Sequence, residues 1–574
     1  MRVWPALRGV LTLSPAVALV AAGVAFVARQ FDGDELPPPP DVGGRLVVVI
    51  VFDQLRGDYL ERWSKLFGLD GFEKLKAGGV WYSQAHIPYA VTTTGPGHAS
   101  LSTGRPPSVH GVVDNTWFER GRGKSVYCAA GDRPYDRVPP LGGPAAGGGH
   151  SPERLLSSTV GDELVVANAG RVFSLALKDR AAVLLGGKSP TGAFWFDAGT
   201  GQFVTSSYYR DRLPPWAEAF NAGKPATRLA GRDWTRLLEP AVYEAHAGPD
   251  AGAGEGPANL FPHRGVANAK TFEAVLASPA GNELLWEFAR AAIDAEGLGQ
   301  RGGTDLLMLG FSANDFVGHA YGPDSQEVLD MTLRSDKLLA EVVATLTGKF
   351  GADRLSFVLS ADHGVCPVPE RAVATHPEAR RFDPVATYAP LNGVLDARFG
   401  SGDAPGQWVE RIDYPWLYLN QRHVAAMKLD RAVVERVAAD WSGNRPEVAE
   451  AAFPREVLAG PPAAEPFARA AQLSFHPDRC GDVYLVAQPY TYPGGKLASG
   501  TTHGTPHPYD THVPILAFGA NVPTLGERSG RVSSLLFAAI VARCLGLAPP
   551  PGLPEKLPAE WGALPAVSSD TPDR

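Results

Sequence analysis

Three runs of mainly apolar residues predict buried strands in this 574-residue chain. Arg45–Phe52 (RLVVVIVF) is followed, much later, by Leu306–Phe311 and Leu355–Leu359. Continuous apolar runs are typical of strands covered on both faces, as in a sheet enclosed by helices. Between the last two runs, apolar residues recur at helical spacing from about Ser325 to Leu346. Strand, helix and strand in this order predict a βαβ unit and an α/β fold.

The remaining patterns divide the chain further. Residues 194–208 contain a Gly-bearing turn between two apolar stretches and predict a hairpin. Residues 370–495 mix predicted strands (Trp416–Leu419 and Val483–Val486) with a helix from about Asp430 to Trp441, which indicates a smaller α+β insert. Residues 549–574 begin with three prolines and predict a flexible tail.

The N-terminus carries the pattern of an export signal. Arg2 and Arg8 precede an uncharged, Ala/Val/Leu-rich run from Val10 to Ala28. A run of this length is compatible with a cleaved signal peptide and with a retained membrane anchor, so residues 1–30 are assigned to either. Residues 31–44 contain four consecutive prolines and three glycines, and they predict a linker.

Composition excludes several classes of function. Lys and Arg number 53 against 61 Asp and Glu, which gives a net charge of −8 and argues against nucleic acid as a bound partner. The four cysteines form no CxxC pair, so a cysteine-based zinc site is not expected. Export permits disulfides, and the sequence leaves all three complete pairings of four cysteines open.

Acidic and histidine residues follow the predicted strands. Ligands of open α/β sheets bind outside the carboxyl ends of the strands, so these side chains are expected to converge on one crevice. Carboxylates gathered in one place repel each other unless a cation is present, and a mixed Asp/His set of six suits two borderline metal ions. The six residues are Asp53, Asp315, His319, Asp362, His363 and His503.

A nucleophile candidate lies in the segment TTTGPGHAS, residues 92–100. Pro96 suits the first turn of a helix, which puts Thr94 just before that turn, near the positive end of the helix dipole. A threonine hydroxyl coordinated to a metal ionises and attacks an electrophile. The structural alternative is that Thr94 only caps the helix.

These motifs together resemble the alkaline phosphatase superfamily, and most closely the threonine-nucleophile, PafA-like alkaline phosphatases. The segments that carry the resemblance are VFDQLRGDYL, TTTGPGHASLSTGRPPSVHG, NDFVGHAYGPDS, ADHG and TTHGTPHPYDTHVP. The resemblance implies a three-layer α/β/α sandwich of the alkaline phosphatase type, with the catalytic domain over residues 45–548 and the insert within it. It also implies a site with two Zn²⁺ ions.

Carried over motif by motif, the resemblance implies a role for each site residue. Asp315, His319 and His503 would bind one zinc. Asp53, Asp362 and His363 would bind the other, with Thr94 as nucleophile and ligand. Three residues would contact the phosphoryl group, although each has an ordinary alternative as a turn residue or surface charge: Asn115, Lys178 and Arg180.

The function this resemblance implies is hydrolysis of small-molecule phosphate monoesters through a phosphothreonine intermediate. From its N-terminal pattern the enzyme is expected to be exported, and a monomer is the expected state. The negative charges of three Asp and a Thr alkoxide balance the positive charges of two zinc ions. Lys178 and Arg180 then add two positive charges, which match the charge of a monoester dianion. The alternatives are a phosphodiesterase or nucleotide pyrophosphatase, a phosphonate hydrolase on the same metal core, and a tethered binding protein without catalysis.

Other residues inside the motifs are expected to play supporting parts. His98, His507 and His512 are interpreted as packing residues or as partners of the ligands. Cys366 lies in a CPVPE segment that resembles a sulfatase signature only superficially, because Glu370 replaces the arginine of that signature. A sulfatase is therefore disfavoured.

Overall fold

A computed structural model describes residues 43–140, 148–256, 260–266, 272–403, 406–494 and 499–562. The predicted export segment and nearly all of the linker lie outside the described residues. Within the described ranges, we find no helix with the length and apolar content needed to cross a membrane.

The largest sheet contains eleven strands of the described chain. Its members are β1 (Arg45–Phe52), β2 (Val80–His86), β5 (Arg137–Val138), β6 (Val172–Ala176), β7 (Gly192–Asp197), β8 (Gln202–Ser206), β9 (Thr304–Phe311), β10 (Leu355–Ser360), β17 (His512–Gly519), β18 (Gly526–Arg528) and β19 (Val532–Ser533). Smaller sheets are formed by β3 (Thr116–Glu119), β4 (Lys124–Tyr127), β11 (Arg380–Arg381), β12 (Val409–Asp413), β13 (Trp416–Leu419), β14 (Ala449–Pro454), β15 (Val483–Ala487) and β16 (Thr491–Tyr492).

Helices follow most of these strands. Those of seven residues or more in the described chain are α1 (Phe72–Gly78), α2 (Thr94–Thr103), α3 (Val160–Val166), α4 (Asp179–Gly186), α5 (Pro215–Ala222), α6 (Pro240–Ala247), α7 (Pro279–Glu296), α8 (Ala313–Tyr321), α9 (Gln326–Phe350), α10 (Leu391–Phe399), α11 (Arg431–Gly443), α12 (Pro466–Ser474) and α13 (Leu536–Leu545). Shorter helical segments are Tyr59–Arg62, Pro107–His110, Pro225–Ala230, Glu273–Leu276, Pro369–Ala372, Pro384–Tyr388, Gln421–Ala426, Arg455–Leu458 and Pro508–Thr511.

Strand β1 explains why the sheet is enclosed on both faces. Val48 and Ile50 pack into one hydrophobic cluster, which also contains residues of α7 and α9. Val47 and Val49 point to the opposite face and pack in a second cluster with α3 and α13. Because successive side chains of a strand alternate between faces, a continuous apolar run needs helices on both sides. The predicted three-layer α/β/α sandwich is confirmed.

The order of the strands differs from a simple βαβ unit. The sheet runs β18-β2-β17-β10-β1-β9-β6-β7-β8-β5, and β19 also pairs with β2. Strands β9 and β10 are parallel, as predicted, but each pairs with β1, which lies between them. Strand β17 runs antiparallel to β10. The hairpin predicted in residues 194–208 is the antiparallel pair β7–β8.

The insert is a four-stranded sheet in the order β12-β13-β15-β14, with antiparallel neighbours. It has its own hydrophobic cluster, in which Trp408 and Leu417 pack against residues of α10 and α11. This matches the smaller α+β element expected from the sequence.

Two further expectations concern the cysteines and the end of the chain. All four cysteines are buried, and none forms a disulfide. Part of the segment assigned to a tail is described, up to residue 562. There Trp561 is 3% exposed and its indole N–H donates to the Tyr82 hydroxyl at 2.8 Å, so this part packs against the sheet.

Candidate active site

The carboxyl ends of three neighbouring parallel strands bring acidic residues together. Asp53 directly follows β1, while Asp362 and His363 come just after β10. Asp315 lies in the first turn of α8, which begins shortly after β9. Because β1 pairs with both β9 and β10, their carboxyl ends share one edge of the sheet. The strand ends that carry these acidic residues are therefore adjacent, as the crevice expected from the sequence requires.

One helix and one loop supply the first group of possible metal ligands. Asp315 and His319 are four residues apart in α8, so their side chains share one helix face. The His319 Nε2 atom lies 3.2 Å from Asp315 Oδ1, and the His503 Nε2 atom lies 3.5 Å from the same oxygen. The donor atoms of these three residues lie within 4.8 Å of one another.

A second group adjoins the first. The His363 Nε2 atom lies 3.2 Å from Asp362 Oδ2 and 3.5 Å from Asp53 Oδ1. The sets of three whose donor atoms converge are Asp53, Asp315 and His363, and also Asp53, His98 and Asp362. The His98 Nδ1 atom lies 3.1 Å from Asp362 Oδ2 and 3.0 Å from the Thr94 carbonyl oxygen, so this nitrogen carries a proton and is a hydrogen-bond partner of Asp362. The three sets form one continuous cluster, because Asp315 belongs to the first and second sets and Asp53 to the second and third.

The histidines are oriented as metal ligands require. The Nδ1 atoms of His319, His363 and His503 lie 2.7, 2.9 and 2.7 Å from backbone carbonyl oxygens. A carbonyl oxygen only accepts, so each Nδ1 carries the proton and each Nε2 presents a lone pair to the carboxylates. Burial lowers the pKa of His363 to about 3, which keeps its imidazole neutral.

The charge balance also fits cations. Asp53, Asp315 and Asp362 are at most 3% exposed. Both oxygens of Asp53 and Oδ2 of Asp362 are buried without a hydrogen bond, and their close neighbours are ion-pair contacts. Burial and the nearby Asp362 carboxylate raise the pKa of Asp53 to about 7. Three buried carboxylates beside imidazole nitrogens are a donor set that suits divalent metal ions.

Thr94 faces this cluster, although not in the helix position expected. The expectation that Thr94 precedes the helix is wrong, because α2 begins at Thr94 and Thr93 is the N-cap. The Thr94 hydroxyl lies 3.5 Å from His363 Nε2 and therefore points into the cluster. A Cβ on Gly97 would lie 2.4 Å from the Asp362 carbonyl oxygen, so glycine is needed there for α2 to approach the end of β10.

Lys178 and Arg180 meet at the same hydroxyl. Lys178 Nζ and Arg180 Nη2 each lie 3.4 Å from Thr94 Oγ1. Lys178 is only 5% exposed, and its ammonium group also contacts Asp53 Oδ2 at 2.7 Å and Asp315 Oδ2 at 2.6 Å. The alternative of a solvated surface pair is wrong for Lys178, since an ammonium group this buried requires charged partners.

Asn115 reaches the start of α2. Its amide oxygen accepts a hydrogen bond from the Gly95 N–H at 2.7 Å, next to Thr94 in the chain. Asp114 fixes the same turn by accepting from the Thr93 hydroxyl at 2.8 Å and from the Asn115 N–H at 2.6 Å. The amide NH₂ group is the part of Asn115 that can donate to an anion.

Two other histidines of the motifs, His507 and His512, lie outside the cluster. They donate to the carbonyl oxygens of Ala487 and Ser83.

A network behind Arg180 was not predicted from the sequence. The Tyr127 hydroxyl donates to Asp179 Oδ1 at 2.8 Å, and His150 Nε2 lies 2.9 Å from Asp179 Oδ2. Tyr127 also hydrogen-bonds the Arg180 side chain. Tyr127 ends β4 and His150 follows a Gly-rich stretch of the sequence, so no local pattern relates them to residue 179. Asp179 lies between Lys178 and Arg180 in the sequence, and that position is the feature from which its role could have been predicted.

Replacing Tyr127 with phenylalanine is expected to weaken substrate binding, because it removes a hydroxyl that holds Asp179 and Arg180. One such hydrogen bond contributes about 1 kcal/mol, so KM should rise roughly fivefold with a smaller change in kcat. Steady-state kinetics and inhibition by inorganic phosphate measure this. Tyr135→Phe is the control, since it removes a comparable hydrogen bond to Glu153. Equal kinetics for wild type and Tyr127→Phe would contradict the role.

Comparison with known proteins identifies the family. A family model for type I phosphodiesterases and nucleotide pyrophosphatases matches residues 47–510. The chain belongs to that family. Within it, alkaline phosphatase PafA of Elizabethkingia meningoseptica is 33% identical over 83% of this chain and 87% of its own length. Alkaline phosphatase PhoV of Synechococcus elongatus is 33% identical over 83% of this chain and 86% of its own length.

A solved structure agrees with the sequence comparison. The crystal structure of wild-type alkaline phosphatase PafA is 31% identical to this chain and has a TM-score of 0.81, over 91% of this chain and 99% of its own. The resemblance to PafA-like alkaline phosphatases is confirmed. Membership of the type I phosphodiesterase and nucleotide pyrophosphatase family makes this chain a phosphoric ester hydrolase.

Proposed function

We propose that this family member is an exported phosphate monoester hydrolase that uses two Zn²⁺ ions and a phosphothreonine intermediate. The observation that carries the proposal is the meeting of one ammonium group, one guanidinium group and the Thr94 hydroxyl beside a cluster of possible metal ligands. A nucleophile flanked by two fixed positive charges suits a substrate with two negative charges.

The proposed ligands of one zinc are Asp315, His319 and His503, and those of the other are Asp53, Asp362 and His363. The convergence of their donor atoms and the burial of the three carboxylates support a metal site here. Zinc bound there would lower the pKa of a coordinated hydroxyl or water and neutralise charge on the attacking and leaving oxygens. Thr94 would be a ligand as well as the nucleophile.

The protein's own residues would carry out two displacements. The Thr94 oxygen gives up its proton to solvent and attacks phosphorus, the bond from phosphorus to the leaving oxygen breaks, and the leaving oxygen takes up a proton from solvent and departs as the alcohol. Water then attacks the phosphothreonine, which releases phosphate and restores the Thr94 hydroxyl. Lys178, Arg180 and Asn115 hold the non-bridging oxygens. Since these donors are fixed before the reaction, they stabilise the transition state without reorganising.

The Lys178 and Arg180 pair favours monoesters over diesters. A monoester dianion offers each of the two cations a charged oxygen, whereas a diester has one negative charge and a bulky group in place of one oxygen. The rivals, a phosphodiesterase or nucleotide pyrophosphatase and a phosphonate hydrolase, would use the same cluster without needing this pair.

The test is a paired comparison of an aryl phosphate monoester with the matching diester. The wild-type enzyme is expected to prefer the monoester. Lys178→Ala and Arg180→Ala should each lower monoester kcat/KM by about 10²–10³-fold, as loss of one transition-state donor does elsewhere. Diester turnover should change by about tenfold at most.

Lys188→Ala, a lysine just beyond α4, is the matched control and should leave both rates near wild type. Zinc content is measured for each variant, because Lys178 also contacts two proposed ligands. A wild-type preference for the diester would assign the protein to the phosphodiesterase rival.

Export is proposed from the sequence pattern of residues 1–30, with cleavage and anchoring both compatible with it. The proposed partners are small-molecule phosphate monoesters and not nucleic acid, in line with the net charge of −8. A monomer is the proposed state in solution.

A further inference from the structure

Gln54 stands out beside the metal cluster because its backbone is strained. It follows Asp53 at the end of β1, is 3% exposed and has φ of 69°. Residues other than glycine rarely adopt this left-handed conformation, since Cβ crowds the backbone. A strained backbone of this kind persists only where the surrounding contacts hold it in place.

The contacts of Gln54 join the two proposed metal sites. Its side-chain Nε2 donates to Asp315 Oδ1 at 2.7 Å, and its backbone N–H donates to Asp362 Oδ1 at 3.1 Å. One residue therefore restrains two carboxylates that come from different parts of the sheet. The amide does so without adding negative charge to a cluster that already holds three carboxylates, so it is a better partner there than a glutamate.

The space for this amide comes from Gly318. A Cβ on Gly318 would lie 1.7 Å from Gln54 Oε1, far inside van der Waals contact. Gly318 is within α8, one residue before His319, where glycine costs about 1 kcal/mol relative to alanine. The helix that carries Asp315 thus gives up local stability at the point where Gln54 packs against it.

We infer that Gln54 and Gly318 form a positioning pair that sets Asp315 and Asp362 for zinc. The inference rests on the proposed two-zinc function and extends it to residues that bind neither metal nor substrate. Partners of this kind orient ligand oxygens before the metal binds, and their loss typically weakens metal binding by about 10–100-fold. The strained backbone holds the amide toward Asp315 while the N–H reaches Asp362.

Gln54→Gly is the variant that separates positioning from folding. Glycine adopts the same φ without strain and keeps the backbone N–H, so the metal-free protein should melt at or above the wild-type temperature. Zinc affinity, measured by competition with a chelator of known affinity, should fall about 10–100-fold. At saturating zinc, kcat/KM for a phosphate monoester should recover most of its wild-type value.

A double-mutant cycle tests the pairing. Gly318→Ala should weaken zinc binding in the wild-type background, because the methyl group displaces the Gln54 amide. In the Gln54→Gly background the same change should cost nothing further, since the clash is gone. Gly348→Ala in α9 is the control, because a Cβ there has no atom within 4 Å and should leave zinc affinity unchanged.

The outcomes separate the inference from the proposed function. Unchanged zinc affinity in Gln54→Gly, or losses that add in the double variant, would overturn the positioning pair. A wild-type protein that binds no zinc would overturn the two-zinc proposal, and the inference with it. Zinc binding that is strong in the wild type and indifferent to Gln54 overturns the inference alone.

Discussion

Thr94→Ala is expected to reduce kcat for an aryl phosphate monoester by about 10³-fold or more, measured at saturating zinc because Thr94 is also a proposed ligand. The alanine removes the oxygen proposed to form the covalent intermediate, and losing a nucleophile costs more than losing any single binding contact. Residual turnover would come from direct attack of water in a site that still binds phosphate. Steady-state kinetics with matched zinc analysis measures the effect.

Two variants control this result. Thr94→Ser keeps a hydroxyl and should retain measurable turnover through the same intermediate. Thr103→Ala, at the other end of α2, removes a hydroxyl that bonds only the Ala99 carbonyl oxygen and should stay within a few-fold of wild type. Trapping of phosphate on Thr94, detected by mass spectrometry after acid quench, should be seen in the wild type and be absent in Thr94→Ala. Near-wild-type kcat in Thr94→Ala would remove this residue from the chemistry.

Removal of metal is expected to abolish monoester hydrolysis, down to the level of Thr94→Ala or below. The charge on three buried carboxylates is then offset mainly by Lys178, and the hydroxyl of Thr94 has nothing to lower its pKa. Metal-free protein should also melt at a lower temperature, because a ligand bound only by the folded state stabilises it.

Adding zinc back to the metal-free protein tests the metal requirement more directly than removing the metal does. Activity and melting temperature should recover together and saturate at two equivalents of zinc per chain. Mg²⁺ and Ca²⁺ should restore far less, since three imidazole ligands favour a borderline metal over hard oxygen-seeking cations. Saturation at one equivalent would contradict the two-zinc site, and full activity after complete metal removal would contradict metal catalysis.

The sequence predicted the elements of the sheet because their physical signal is local. The run Arg45–Phe52 is apolar at every position but the first, and the structure buries it on both faces. The acidic residues at the ends of β1 and β10 were located for the same reason. Asp315 and His319 were assigned to one metal through the family resemblance, and the structure places them four residues apart on one face of α8.

Contacts between distant segments could not be predicted from the sequence. Nothing in β1 indicates that it lies between β9 and β10, since pairing of parallel strands leaves no local pattern. Tyr127 and His150 approach Asp179 only because segments distant in the sequence meet at the start of α4. The start of α2 was misplaced because Pro96 is compatible with more than one position in a first helical turn.

The position of β1 has a consequence for how the protein forms during synthesis. Its pairing partners, β9 and β10, are made long after it, and at 5–20 residues per second the interval between residues 52 and 360 is about 15–60 s. During that time β1, an apolar segment of high β-propensity, has no native strand on either edge to pair with. Exposed segments of this kind tend to aggregate. Chaperone protection of the nascent N-terminal third is therefore expected to govern how much active enzyme a cell produces.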